Sequence, residues 1–420
     1  MIFKGSFINY STLFIFLFLS INLHNFQRFS IIYLLVPFSL YFLLSFSLDL
    51  SNLTIHKKNI IYLYYIFFII YSIFLIFYSI PISGGATFIG MIRYFFTPLI
   101  ALFAVNIVKS ELTIRKLLNY YILIIFIAAL TIPLQFIIGP ISWFAEAATR
   151  GGAYRFSTIL GNLTAIGIAG GIGLTMALLY ERENNIIRYI LIFVIAIGMS
   201  MSMQRAGIMN IIFSYIIYFI LSSGNWVKKL RLLSSILTLS VILLIIAYNI
   251  EFSRIYLSFF MNSLGIDSGI QTQVDYSPFY EQVFYRLFGN TLTHINYYGL
   301  VWLIIGYGFG GFGGVLGMKG LYAHNDFLNM LTVGGVIYLL FFIFFLAFLL
   351  VKNIDYFQRS ENDISKNNLR VLLGSLIIFI INLPMGSGNF LHPNHSSIFW
   401  LSVGLFSGFY FNKYSKYKQI

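Results

Sequence analysis

The stretch Tyr322-Ala-His-Asn-Asp-Phe-Leu-Asn-Met-Leu-Thr-Val-Gly-Gly335 sets His324, Asn325 and Asp326 between a polar segment, residues 251–323, and the apolar run 336–351. Imidazole is the side chain most easily poised for proton transfer near neutral pH. Asn325 and Asp326 carry two readings. They are what a helix start wants, because the side chain caps free backbone N–H groups, and they could equally support a site around His324. Capping leaves His324 unexplained. The other candidate groups are cationic: Arg150 and Arg155 in the segment 139–158, Arg205 between two apolar runs, and Arg254 and Arg286 in the polar segment. A guanidinium holds phosphate through two parallel hydrogen bonds. It can also snorkel to a membrane interface or pair with Glu146, Glu251 or Glu281. His392-Pro-Asn-His395 brings two His close together. The proline reads as a turn there and no carboxylate pair adjoins it, so no metal site is expected. There is no cysteine for disulfides or thiolate ligands. Neither a Gly-x-Ser-x-Gly elbow nor a Walker-type glycine loop occurs.

The elements that must position these groups are membrane spans. Charged residues are 9% of the 420 and mean hydropathy is +0.86, against about 25% charged in soluble domains. Apolar segments long enough to cross about 30 Å of hydrocarbon recur along the chain. The expected fold is an all-α polytopic integral membrane protein with about twelve transmembrane helices. The spans are expected at 7–22, 30–48, 60–80, 87–108, 117–138, 159–180, 187–203, 206–222, 232–250, 327–351, 371–383 and 396–412. The two around Gln204-Arg205 form either a hairpin or a bent helix. This divides one membrane domain into a nine-span region 1–250, a large outer loop 251–326, and a three-span region 327–420. Lys4 and the apolar run after it lack a small-residue cleavage pattern, so the first helix is expected to be retained. With the N-terminus inside, 18 of the 26 basic residues fall on inner segments, as the positive-inside rule requires. That placement accounts for the net charge of +13 without nucleic acid. Seven of the eight outer basic residues are Arg, which suits an outer face that binds a diphosphate. The glycine-rich segment 297–320 is too flexible for a stable span and is expected to be re-entrant or interfacial.

His, Arg and aromatic side chains on one face can carry group transfer with a lipid diphosphate leaving group. A base activates the acceptor hydroxyl and cations stabilise the departing charge. His324-Asn325-Asp326-Phe327-Leu328 followed by Gly335 resembles the HN-x-x-L…G signature of the O-antigen polymerase and O-antigen ligase family. Arg155-Phe-Ser-Thr-Ile-Leu-Gly161-Asn162 resembles that family's Arg-led segment entering a central helix. Ser202-Met-Gln-Arg205-Ala-Gly207 resembles its Ser-x-Arg-Gly/Ala segment, and Gly306-Tyr-Gly-Phe-Gly310 resembles its glycine-aromatic turn. The resemblance covers roughly residues 140–350. Arg150…Gly161 and Arg254…Gly265 fit the Arg-x10-Gly pattern described for its polymerases. The chain departs from the family at Val333, where an acidic residue is common, and at Tyr338, which replaces a glycine. The resemblance implies metal-independent glycosyl transfer on undecaprenyl diphosphate-linked oligosaccharide, at the periplasmic face of the bacterial inner membrane. It implies His324 as catalytic base; Arg155, Arg205, Arg150, Arg254 and Arg286 on the diphosphate; Asn325 and Asp326 in support; and no cofactor. The lipid bilayer is the expected surrounding, a chain-length regulator is left open as a partner, and no nucleic acid is expected. Polymerase is favoured over ligase by the Ile/Phe/Tyr-rich composition and the paired Arg-x10-Gly pattern. A lipid-glycan flippase is disfavoured because the spans hold almost no ionisable groups at midplane depth.

Overall fold

A computed structural model describes residues 110–141, 148–150, 153–160, 163, 165–181, 185–202, 204–222, 303–306, 308, 325–384 and 393–407, with isolated positions at 67–80, 101–104 and 226–234. The described chain is mostly helical. Its main helices are α1 (Glu111–Ile138), α2 (Ala165–Leu179), α3 (Asn185–Met201), α4 (Arg205–Leu221), α5 (Asp326–Arg359), α6 (Asp363–Asn382) and α7 (Pro393–Leu405). Three of these, α1, α5 and α6, are long and apolar enough to cross a membrane. Helices α2, α3, α4 and α7 are shorter than these and fall on expected spans. The expected spans 60–80, 87–108 and 232–250 are described only at isolated positions, and 7–22, 30–48 and most of the 251–326 loop lie outside the described residues.

The exception to all-α is a small antiparallel hairpin in the segment expected to be loop. Strands β1 (Ala148–Arg150) and β2 (Ala153–Arg155) pair Ala148 with Arg155 and Arg150 with Ala153. The intervening sequence Gly151-Gly152 is a dipeptide that two-residue hairpin loops favour.

Helix α2 is the centre of the described body, and every residue from Ala165 to Leu179 is buried. A helix apolar all round belongs in a protein core or in a membrane, and this one is enclosed by its neighbours. Its small residues let neighbours approach closely, as in membrane helix pairs. A methyl group on Gly173 would run into Ile125 of α1, and one on Gly171 into Asn210 of α4. Gly374 of α6 in turn receives Leu179. Helices from both sides of the 251–326 segment therefore pack on one another.

Several expected ends move outward. Helix α1 starts at Glu111, capped by Ser110 Oγ, which accepts from Thr113 N at 3.3 Å. Helix α5 continues to Arg359, where an i,i+4 pair with Asp355 closes at 2.7 Å. After a short link, Asn362 Oδ1 caps α6 by accepting from Ile364 N and Ser365 N. The Lys, Arg and Glu residues assigned to inner loops are good helix formers and prolong the helices beyond their apolar runs. At α7 the proline is not a turn but the first helical residue, where its missing N–H costs nothing. The segment around Gln204-Arg205 is a break between two helices, α3 and α4.

Polar contacts define two ends. At one, Arg115 Nε and Asn119 Nδ2 donate to Tyr180 Oη at 2.7 and 3.0 Å. Arg370 reaches Glu181 at 2.6 Å, Arg188 donates to the Leu178 carbonyl, and Ser365 donates to the Glu111 carboxylate. This end gathers the starts of α1, α3 and α6 with the end of α2, and it carries most of the described basic residues. The starts of α2, α4 and α5 lie at the opposite end. The alternation of direction follows the order expected from the apolar runs.

Candidate functional site

The end opposite the basic cluster is where the described candidate residues fall. Arg155 closes β2 and is half-buried; Phe156, Ser157, Thr158 and Leu160 after it are buried. This run is tied to the last turn of α1. Gln135 Nε2 donates to Ser157 O at 2.8 Å, and Phe136 meets Phe156 edge-on, with ring centroids 4.8 Å apart. Arg205 is the first residue of α4. Arg150 lies on β1, its backbone opposite Ala153. Arg254, Arg286 and His324 lie outside the described residues.

Asn325 caps α5. Its Oδ1 accepts from Phe327 N at 3.0 Å and from Leu328 N at 3.3 Å. Asp326 is 1% exposed, accepts from Asn329 Nδ2 at 3.3 Å, and donates its own N–H to Leu383 O at 2.8 Å. That last bond ties the start of α5 to the end of α6. Capping is thus the observed work of Asn325. Asn325→Ala is expected to cost about 1 kcal/mol of stability, read as a lowered thermal midpoint in detergent. A midpoint unchanged from wild type would mean the cap is not stabilising.

Helix α5 is not one continuous span. Gly335, at φ 68 and ψ −170, breaks it, and the backbone of residues 304–305 packs against the break. Gly308 N donates to Val333 O at 2.8 Å and the Tyr71 hydroxyl donates to Gly334 O. The carbonyls of Val333 and Gly334 at the break are therefore satisfied, as hydrocarbon surroundings demand. The glycine-rich segment does lie against protein at its described positions.

Sequence reasoning missed a row of buried neutral polar groups between α2, α4 and α6. Gln204 Oε1 accepts from Gly167 N at 3.1 Å. Asn210 and Asn382 exchange amide bonds at 2.9 and 3.0 Å, and Asn210 also donates to Gly167 O. Ser214 Oγ accepts from Thr175 Oγ1 at 2.9 Å and donates to Gly171 O at 3.1 Å. The available signal was Gly167 and Gly171 at i,i+4 alongside Asn210 and Ser214 at i,i+4, one small face opposite one polar face. Among the described residues no group of three His, Cys, Asp or Glu could hold a metal ion.

No family model matches the chain, and neither does any curated protein.

Proposed function

We propose that the chain is an O-antigen polymerase of the bacterial inner membrane, with its site on the periplasmic side. The observation that carries this is the convergence of the signature segments. Arg155–Thr158 leads towards α2, Ser202–Gly207 opens α4, and Asn325–Leu328 opens α5, all at the end away from the basic cluster. They are separated by up to about 170 positions in sequence, and the positive-inside rule assigns their end to the outside. Among the described residues, the buried polar row between α2, α4 and α6 consists of neutral amides and hydroxyls, which suits a scaffold better than an ion-coupled carrier.

In the proposed step a hydroxyl at the non-reducing end of one lipid-linked repeat attacks the anomeric carbon of the growing glycan. The new C–O bond forms as the anomeric carbon–phosphate oxygen bond breaks. The hydroxyl proton goes to His324 and the electron pair leaves with undecaprenyl diphosphate, held by Arg155 and Arg205 with Arg150, Arg254 and Arg286. Deletion and complementation in the source strain, read on a lipopolysaccharide gel, tests this. Loss of the ladder with one repeat still on the core supports polymerase. Loss of every repeat from the core means ligase, and accumulation of a lipid-linked unit on the cytoplasmic side means flippase.

Arg205→Lys keeps the charge but loses the planar fork. It is expected to remove most of the ladder at normal protein level. A full ladder from the Lys variant would reduce Arg205 to an orienting charge.

A further inference from the structure

Gln204 occupies the N-cap position of α4 and is 4% exposed. Its side chain makes no bond to its own helix. It crosses instead to α2, where Oε1 accepts the N–H of Gly167, the third residue of that helix, at 3.1 Å. That bond fixes the orientation of the amide, since only its oxygen can accept from an N–H. The Nε2 atom, with two protons, is then buried, and among the described residues no acceptor lies within its reach. A buried donor without an acceptor is costly, and such exceptions call for an explanation.

The starts of α2 and α4 meet at this side chain. A Cβ on Gly167 would strike the Gln204 carboxamide, and one on Gly207 would lie 3.6 Å from Gly167 Cα, so the two backbones are in close approach. Each helix start carries partial positive charge, and Arg205 follows directly in the chain. The local field therefore favours an anion, and the orphaned donor supplies a directed bond to one.

We propose that Gln204 Nε2 donates a hydrogen bond to a phosphate oxygen of the lipid diphosphate, making Gln204 a binding residue that also locks α2 to α4. This rests on the polymerase reading for the lipid, but the anion site itself is testable without it. Gln204→Glu keeps an oxygen for Gly167 N and replaces the donor by a negative charge. The full-length protein in detergent would be titrated by calorimetry with undecaprenyl diphosphate and, separately, with inorganic pyrophosphate, with thermal midpoints recorded. The expected result is binding at least about tenfold weaker in the variant, in line with loss of a hydrogen bond to a charged group, at an unchanged midpoint. Equal affinity at an equal midpoint would overturn the proposal and leave Gln204 a structural clamp. Should wild type bind pyrophosphate with this dependence but not undecaprenyl diphosphate, the donor stands and the lipid-linked reading falls. Binding of neither overturns the proposal, whatever the lipopolysaccharide gel shows. If Gln204→Glu does not fold, Gln204→Met is expected to lose the same tenfold, and wild-type affinity in it would refute the donor.

Discussion

His324→Ala is expected to lower polymer extension by about 10²- to 10⁴-fold, the usual worth of general-base catalysis, while protein level and membrane insertion stay normal. A sugar hydroxyl is far too weak an acid to ionise at periplasmic pH. It must lose its proton as the bond to the anomeric carbon forms, and neutral imidazole is suited to accept it. The arginines have to stand apart from this base, because an adjacent cation would lower its pKa and its basicity. The contrast with Asn325 makes the test specific. Asn325 caps α5 through two backbone N–H groups, so Asn325→Ala should keep partial activity in proportion to its modest cost in stability. A lipopolysaccharide gel compares the two variants directly, with immunoblotting to normalise the amounts. A normal ladder from His324→Ala would move the base to Asp326, Glu281 or His294. Asp326 is the least suited of these, being 1% exposed and engaged with Asn329.

The cores of the described helices were legible because each is an apolar run, and composition alone separates such runs from loops. Their ends were not. The segments 111–116, 352–359 and 363–370 each hold three charged residues, and charge was read as loop. Their Glu, Lys, Arg and Gln residues nevertheless propagate helix well, and some have partners across the basic end, such as Arg115 on Tyr180 and Arg370 on Glu181. The hairpin at Ala148–Arg155 escaped because three-residue strands show no alternation to detect. In the candidate site, capping by Asn325 was readable from residue type and position. The role of Gln204 was not, since it depends on which helix start lies across from it. Asn210 pairs with Asn382 across 172 positions, a relation that neither apolar run contains by itself. Gly335 was visible as part of a signature, but the apolar sequence ran past it without interruption and suggested a continuous span.

Gly335→Ala is expected to destabilise the protein by about 2–6 kcal/mol. Two costs add. Gly335 has φ 68 and ψ −170, a backbone region that is essentially glycine-only, and holding an L side chain there costs about 1–3 kcal/mol. The new Cβ would also collide with the carbonyl group of Ile304 and with the backbone of Ile305. Forcing extra volume into packed structure costs about 1–3 kcal/mol, and backbone cannot turn aside as a flexible side chain can. Ile337, two residues on and 50% exposed, is the control: Ile337→Ala should fall within about 1 kcal/mol of wild type because it leaves no enclosed cavity. Thermal unfolding in detergent measures both. The break is held from the other side by Gly306, at φ 82, where a Cβ would meet Val333 O. Gly306→Ala should therefore be costly too. The double variant should cost less than the two singles added, because the first substitution already separates the surfaces that the second would strain. Loss of this contact also frees residues 326–334, which begin at Asp326, to realign with the rest of α5. The ladder should then fail even at temperatures where Gly335→Ala remains folded. A Gly335→Ala protein as stable as Ile337→Ala, with a full ladder, would show that the break in α5 is neither fixed by this backbone contact nor required for extension.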